Sequence, residues 1–308
     1  MNQQPHDQYA KKYLSNLLDE VAEVQLGYEV LAEARRVDVY TEPKASAREE
    51  FYQALGVLGR MTRQPCLLEP FSDSPSREDV RQCLGKLFST QHNLQLRQAS
   101  RKQPPWSEAE LPTLWILAPT ASADLTNGFG GHWKDDWCEG IHFLPPHFNT
   151  AIVAIHQLPK TPETAWLRAL GRGNLQQRTF RELLDWQELP LGDPREILLR
   201  RVAPLFKEYT LLLQSSASSP EEQELIMNVL ATYEQWERET LWKQRQEGRQ
   251  EGRQEERRAV VETLLKTRFG PDETLLQRLD TLSQMPLTEL LPWLLNVSKE
   301  ELRAKLSL

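Results

Sequence analysis

The sequence predicts a mixed α/β domain reaching to about residue 160, followed by an all-helical region. Three observations predict it. Helical apolar spacing and short strand-like runs alternate over the first half, whereas only helical patterns remain after Pro159. Residues 113–119 form a continuous apolar run typical of a sheet centre. Near the far end the repeat Arg245-Gln246-Glu247-Gly248 recurs as Arg249-Gln250-Glu251-Gly252 and Arg253-Gln254-Glu255-Glu256.

In order, residues 7–22 carry Ala10, Leu14, Leu17, Leu18 and Val21 at helical spacing, with Asp7 placed to cap the start. Gly27 breaks that pattern, and extended runs follow at 28–33 and 35–41, ended by Pro43. Ser46-Ala47-Arg48-Glu49 reads as a capping box opening one helix through Phe51, Ala54, Leu55, Leu58 and Met61, ended by Pro65. Residues 66–71 form a short apolar strand. Ser74-Pro75 then opens a helix with a buried stripe of Val80, Cys83, Leu84, Leu87 and Phe88. A polar linker at 101–112 precedes the strand at 113–119, and the glycine-rich loop 127–131 and two further strands, 140–144 and 150–157, complete the domain.

Beyond Pro159, helices are expected at 163–170, 175–186 and 195–214, a flexible joint at 215–220, and a long helix from Glu221 with Leu225, Val229, Tyr233 and Trp236 on one face. The repeat places Arg against Arg and Glu against Glu at i,i+4, each pair costing a few tenths of a kcal/mol, and each glycine costs about 1 kcal/mol against alanine. An isolated helix there is weak. Two readings stand: a solvated, flexible connector, or a helix whose missing pairs a partner chain supplies. Val260, Val261, Leu264, Leu265 and Phe269 restore an amphipathic helix stopped by Gly270-Pro271. Helical runs at 274–282 and 287–295 and the capping box Ser298-Lys299-Glu300-Glu301 form a small leucine-rich module suited to docking or self-association.

The expected domains are thus 1–160, an extension at 161–219, a charged helix or linker at 220–258 and a C-terminal module at 259–308. Bulk properties narrow the class. At 308 residues the chain exceeds the usual single domain. No apolar run approaches the roughly 18 residues that cross a bilayer, and residues 1–7 lack a signal-peptide pattern, so a cytoplasmic protein without membrane association is expected. Cys66, Cys83 and Cys138 imply no disulfide framework. A net charge of −7 argues against a general nucleic-acid coat, yet it leaves room for an acidic site beside a local basic groove.

The main chemical candidate is Asp38 with Glu69. Strand alternation sets Asp38 with Tyr40 opposite Val37 and Val39, and sets Glu69 with Leu67 and Phe71. On neighbouring strands the two carboxylates can converge on one Mg²⁺, which takes oxygen ligands, keeps several waters, polarises a phosphodiester and activates a water. The bland reading makes both of them strand-end acids at the sheet rim. A literal Asp-…-Glu-x-Lys match in Asp38, Glu42 and Lys44 fails, because Asp38 and Glu42 lie about 13 Å apart along one strand. His132, Asp135, Asp136, Cys138 and His142 match no zinc spacing. Asn127-Gly128-Phe129-Gly130-Gly131 lacks the setting and the lysine of a phosphate loop. Trp166, Trp186, Trp236, Trp242 and Trp293 sit in helical patterns and read as packing.

The strand Arg35-Arg36-Val37-Asp38-Val39-Tyr40, the strand Leu67-Leu68-Glu69-Pro70-Phe71 and Trp115-Ile116-Leu117-Ala118-Pro119 resemble the recombination-promoting nuclease family, also described as transposase-like, within the PD-(D/E)XK nuclease superfamily. So do residues 154–159 and 163–173. The repeat followed by Arg268-Phe269-Gly270 and a leucine-rich end resembles a C-terminal domain of unknown function often fused to such nucleases. The resemblance implies a restriction-endonuclease-like mixed sheet flanked by helices, followed by an all-α region with a long charged helix. It also implies a Mg²⁺-dependent DNA endonuclease with Asp38 and Glu69 as metal ligands. The family's lysine or glutamine position is Phe71 here, and Lys86 on the next helix is the replacement candidate, with an ordinary solvated lysine as the alternative. Glu33 is a supplementary acid candidate. The rival reading is an inactive nuclease-fold protein that binds DNA or protein through a self-associating, coiled-coil-like tail.

Overall fold

The computed structural model describes residues 5–30, 35–186, 189–214 and 219–305. The chain divides into two compact units, Met1–Glu237 and Arg238–Leu308. The first holds a 6-stranded mixed sheet in the order β1-β2-β3-β4-β6-β5. Strands β1 (Ala22–Val30), β2 (Arg35–Pro43) and β3 (Cys66–Pro70) are successively antiparallel. Strands β3, β4 (Thr113–Ala118) and β6 (Thr150–Ala154) run parallel, and β5 (Ile141–Phe143) pairs antiparallel with β6 at the edge. All residues of β3 and β6 are buried, which explains why apolar side chains occupy both of their faces.

Helices cover both sides of this sheet. On one side α1 (Pro5–Leu18), α2 (Glu49–Ala54) and α3 (Val57–Met61) share a core with Val39, Leu68, Trp115 and Val153. On the other, α4 (Arg77–Ser100) and α5 (Ala123–Gly128) pack with Tyr40, Leu67, Ile116 and Ile152. Helices α6 (Ala165–Arg168), α7 (Gly173–Leu184) and α8 (Pro194–Gln214) join the α1 side, so residues beyond 160 build the same core as the sheet. The Tyr13 hydroxyl donates to the Trp166 carbonyl at 2.9 Å, and Phe180 stacks on Phe206 with centroids 4.2 Å apart. At about 1.5–3 kcal/mol per large apolar side chain buried, the α1 stripe is a main anchor of this layer.

Several elements differ from expectation for local reasons. Strand β1 starts at Ala22 and passes through Gly27, which the sequence pattern treats as a break; glycine adopts φ +64° there, and the ladder resumes beyond it. Residues 31–33 of that expected strand, including Glu33, lie outside the described residues, as do 215–218 of the expected joint. Asp7 falls inside the first turn of α1 and pairs with Lys11 at 3.1 Å. The helix expected from Ser46 is two short ones. Arg48 is the N-cap of α2 without a side-chain cap bond, and the chain turns at Gly56. Gly56 has φ +58°, and a Cβ there would lie 2.4 Å from the Glu163 carbonyl oxygen. Helix α4 starts two residues later than Pro75, on a Ser76–Asp79 capping box. Phe88 on that helix is exposed, and so is Trp242.

Helix α9 (Pro220–Phe269) continues through the whole repeat. Val229, Tyr233 and Trp236 belong to the core of the first unit. Within the second unit, Val261 and Leu265 are buried with Leu275 of α10 (Glu273–Leu276), Leu279 and Leu282 of α11 (Leu279–Gln284), and Leu290 and Leu294 of α12 (Leu287–Asn296). Arg258, directly after the repeat, pairs with Asp280 at 3.1 Å, and Arg257 donates to the Met285 carbonyl. The chain therefore supports the end of its own repeat, beyond either reading drawn from the residues. Ser298 and Glu301 form the expected capping box ahead of α13 (Lys299–Lys305). No described helix is long and apolar enough to cross a membrane.

The Gly56 geometry carries a prediction. Gly56→Ala forces a strained φ and a backbone clash, so it should destabilise the first unit by about 1–3 kcal/mol. Thermal or urea unfolding of the variant reads this directly, and an unchanged midpoint would refute it.

Candidate functional site

The site assembles where β2 meets β3. Their register pairs Val39 with Leu68, Tyr40 with Leu67 and Thr41 with Cys66. One step further along, Asp38 faces Glu69 with no further ladder pair. Instead the Asp38 backbone N–H donates to Glu69 Oε1 at 3.3 Å. On the other side of β2 the β1 ladder pairs Leu26 with Val39 and Tyr28 with Val37, leaving Gly27 and Asp38 out. Val37 lies in the α4-side core and Val39 in the α1-side core, although residues two apart on a regular strand share a face. Strict alternation therefore fails at Asp38, correcting the expectation that Val37 and Val39 point together. This irregularity frees an N–H for a side chain.

Glu69 is almost sealed from solvent, with only 2% of its side chain exposed. Its second oxygen, Oε2, lies 2.7 Å from Lys86 Nζ. Lys86 is one turn along α4 from the buried Cys83, so the α4 stripe that packs on the sheet also delivers the ammonium. Lys86 is thus a half-buried ion-pair partner of Glu69. Phe71 packs against the α4-side core, and its backbone N–H donates to the Leu117 carbonyl at 2.8 Å. The cation is therefore supplied from α4 while the position two residues after Glu69 holds a core ring.

Residues that the spacing did not single out complete the cluster. Lys11 of α1 places Nζ 2.7 Å from Asp38 Oδ1 while also pairing with Asp7. The order Asp7, Lys11, Asp38, Glu69, Lys86 alternates in charge wherever an ion pair forms. The i,i+4 spacing of Asp7 and Lys11 was a visible signal of their pairing, but nothing local tied them to Asp38. Burial raises the Glu69 carboxyl to about 7; Lys86 opposes that shift, and the Asp38 charge adds to it. Burial alone would lower the Lys86 ammonium, but Glu69 reverses this and leaves it raised. Lys11 is raised in the same way by Asp38 and Asp7 against its own burial.

The donor set discriminates between metals. Among the described residues no three His, Cys, Asp or Glu side chains gather as a metal cage. Two carboxylates on adjacent strands fit Mg²⁺, which is held by one or two carboxylates and retains its waters; they do not fit a zinc or calcium cage. Asp38, whose side chain is 24% exposed, would be the entrance-side ligand.

The remaining candidates separate. Glu42 accepts from the Tyr40 hydroxyl at 2.8 Å and Lys44 pairs with Asp19 at 3.3 Å, so neither joins Asp38. In the loop cluster Asp136 pairs with Arg60, while His142 lies 3.3 Å from Gln157 Oε1. Residues 127 and 128 of the expected glycine-rich loop belong to α5. Cys66 and Cys83 are buried free thiols, and Cys138 is half-buried.

No protein-family model, curated protein or solved structure matches the chain.

Glu69 makes stability pH-dependent with a definite sign. Its folded value lies above the ordinary 4.5, so the folded state binds more protons and stability falls as pH rises from about 4.5 through about 7. Glu69→Gln should flatten that stretch of a denaturant-midpoint profile measured without metal. A wild-type slope surviving the substitution would assign it to another group.

Proposed function

We propose that the chain is a metal-dependent DNA endonuclease of restriction-endonuclease-like fold, which hydrolyses phosphodiester bonds and is linked to recombination or mobile DNA. The observation that carries this reading is the 2.7 Å contact between Lys86 and Glu69, whose other oxygen accepts the Asp38 N–H. Glu69 receives a lysine from α4 and the Asp38 N–H from β2, although the usual lysine position is Phe71. The order α1, β1, β2, α2, α3, β3, α4, β4 adds support, since it sets the acid pair on adjacent strands and the lysine on the helix after them.

Bound Mg²⁺ would polarise the phosphodiester and activate a water. Asp38 and Glu69 would hold it, with Lys11 fixing the Asp38 carboxylate and the Asp38 N–H fixing Glu69. Lys86, raised and therefore charged at neutral pH, stabilises negative charge developing on the phosphate. Because Glu69 titrates near 7, metal affinity should increase as pH rises through that value.

Purified protein should nick plasmid DNA with Mg²⁺, and Asp38→Ala should abolish nicking. Lys86→Met should slow it by about 10²–10³-fold while metal binding persists. Nicking that is absent from wild type, or equal in Asp38→Ala, would remove the enzyme assignment.

A second reading is favoured by a specific observation: both site carboxylates already hold lysine partners, and Glu69 is almost sealed. On that reading the protein is an inactive nuclease-fold module that binds DNA or protein and self-associates through its tail. Leu241 and Trp242, at 54% and 62% exposure, are apolar groups available for association. Removing Arg238–Leu308 should then lower the oligomeric mass in light scattering; a monomeric mass both before and after removal would reject tail association.

A further inference from the structure

A pocket lies at the other end of the parallel strands from the acid site. It opens beside Thr113 and Thr150, the first residues of β4 and β6, about 10 Å along the strand direction from Glu69. Its volume is about 370 Å³, within the range of small-ligand cavities. Trp115, Trp137 and Phe143 form an aromatic wall, with ring centroids 5.2–5.8 Å apart. Arg60, Arg63 and Lys134 add three cations, and no acidic side chain among the described residues lines the space, although the chain as a whole carries net charge −7.

The polar groups are arranged, not scattered. Asp136 holds the Arg60 guanidinium, which sits 4.0 Å from the Trp137 ring centre. Glu49 holds Arg63 through both of its guanidinium NH₂ groups, with one contact at 2.9 Å. Lys134 rests 4.0 Å from the Phe143 ring centre, and among the described residues it has no carboxylate partner. Trp115 is 4% exposed, and its indole N–H meets no acceptor among the described residues. A buried donor without an acceptor, a wall of aromatic rings set at angles to one another and a cation free to pair together call for a ligand with a planar ring and an anionic group.

We propose that this pocket binds a nucleotide, with its phosphate at Lys134 and the arginines and its base against the Trp137 wall. The nucleotide is either free or the unpaired end of a nucleic-acid strand, which present the same chemistry here. This proposal stands apart from the acid site, which lies at the carboxyl end of β3.

Titration of the full chain without metal tests it, using adenosine monophosphate, a short 5′-phosphorylated single-stranded oligonucleotide and inorganic phosphate as probes. Saturable binding of the mononucleotide or the oligonucleotide, tighter than phosphate, is expected; the tighter of the two identifies the source. Lys134→Glu, a change at an exposed residue, should weaken binding by about tenfold or more. Trp137→Leu should weaken it by about fivefold or more. Asp38→Asn should leave it unchanged. The proposal is overturned if neither nucleotide probe saturates, if phosphate binds as tightly as both, if Lys134→Glu has no effect, or if Asp38→Asn abolishes binding.

Discussion

A carboxylate near the carboxyl end of a fully buried strand is the constraint that orders this site. Every residue of β3 is buried, and Glu69 is among them. A charge placed there costs several kcal/mol unless it is paired and hydrogen-bonded. The structure meets that cost from both neighbours of β3 that can reach it. Strand β2 offers the Asp38 N–H, freed from its own ladder, and α4 offers the Lys86 ammonium. Asp38 in turn engages Lys11 of α1. One buried acid thereby links the helices on both sides of the sheet through ion pairs and one N–H to carboxylate hydrogen bond. An apolar residue in its place would pack without such arrangements.

Packing sets Phe71 and Lys86 in different surroundings. Phe71 leaves β3 toward the α4-side core, where Leu84 and Leu87 leave an apolar surface to cover. A lysine in that place would bury its ammonium among carbons. Lys86 approaches from the helix instead, keeps a fifth of its side chain near solvent and still reaches Glu69. A long, flexible stem lets the charge reach that fixed point from the helix.

The repeat shows the opposite balance. Its glycines and like-charge spacing give little intrinsic helix stability. It is helical because it lies inside one long element whose two ends are each packed, on Val229, Tyr233 and Trp236 at one end and on Val261 and Leu265 at the other. Since the unfavourable nucleation step belongs to those ends, the weak middle needs only to propagate.

Local chemistry in the sequence determined the order of helices and strands, the apolar stripes of α1 and α4, the buried character of β3, β4 and β6, and the candidacy of Asp38 and Glu69. These features repeat at periods of two or of three to four residues, so each can be read within one element. Lys86 is a candidate only through the family resemblance, and no periodicity of its own helix singles it out. Tertiary structure alone decided the rest. The break at Gly56 exists because the backbone of Glu163, more than a hundred residues away in sequence, occupies the space of a Cβ. The irregular geometry at Asp38, the arrival of Lys11 from α1, and the pocket joining Arg60 to Trp115 depend on contacts between segments far apart in the chain. No periodicity records such contacts, because they are set by how distant surfaces meet and not by the order of neighbouring residues.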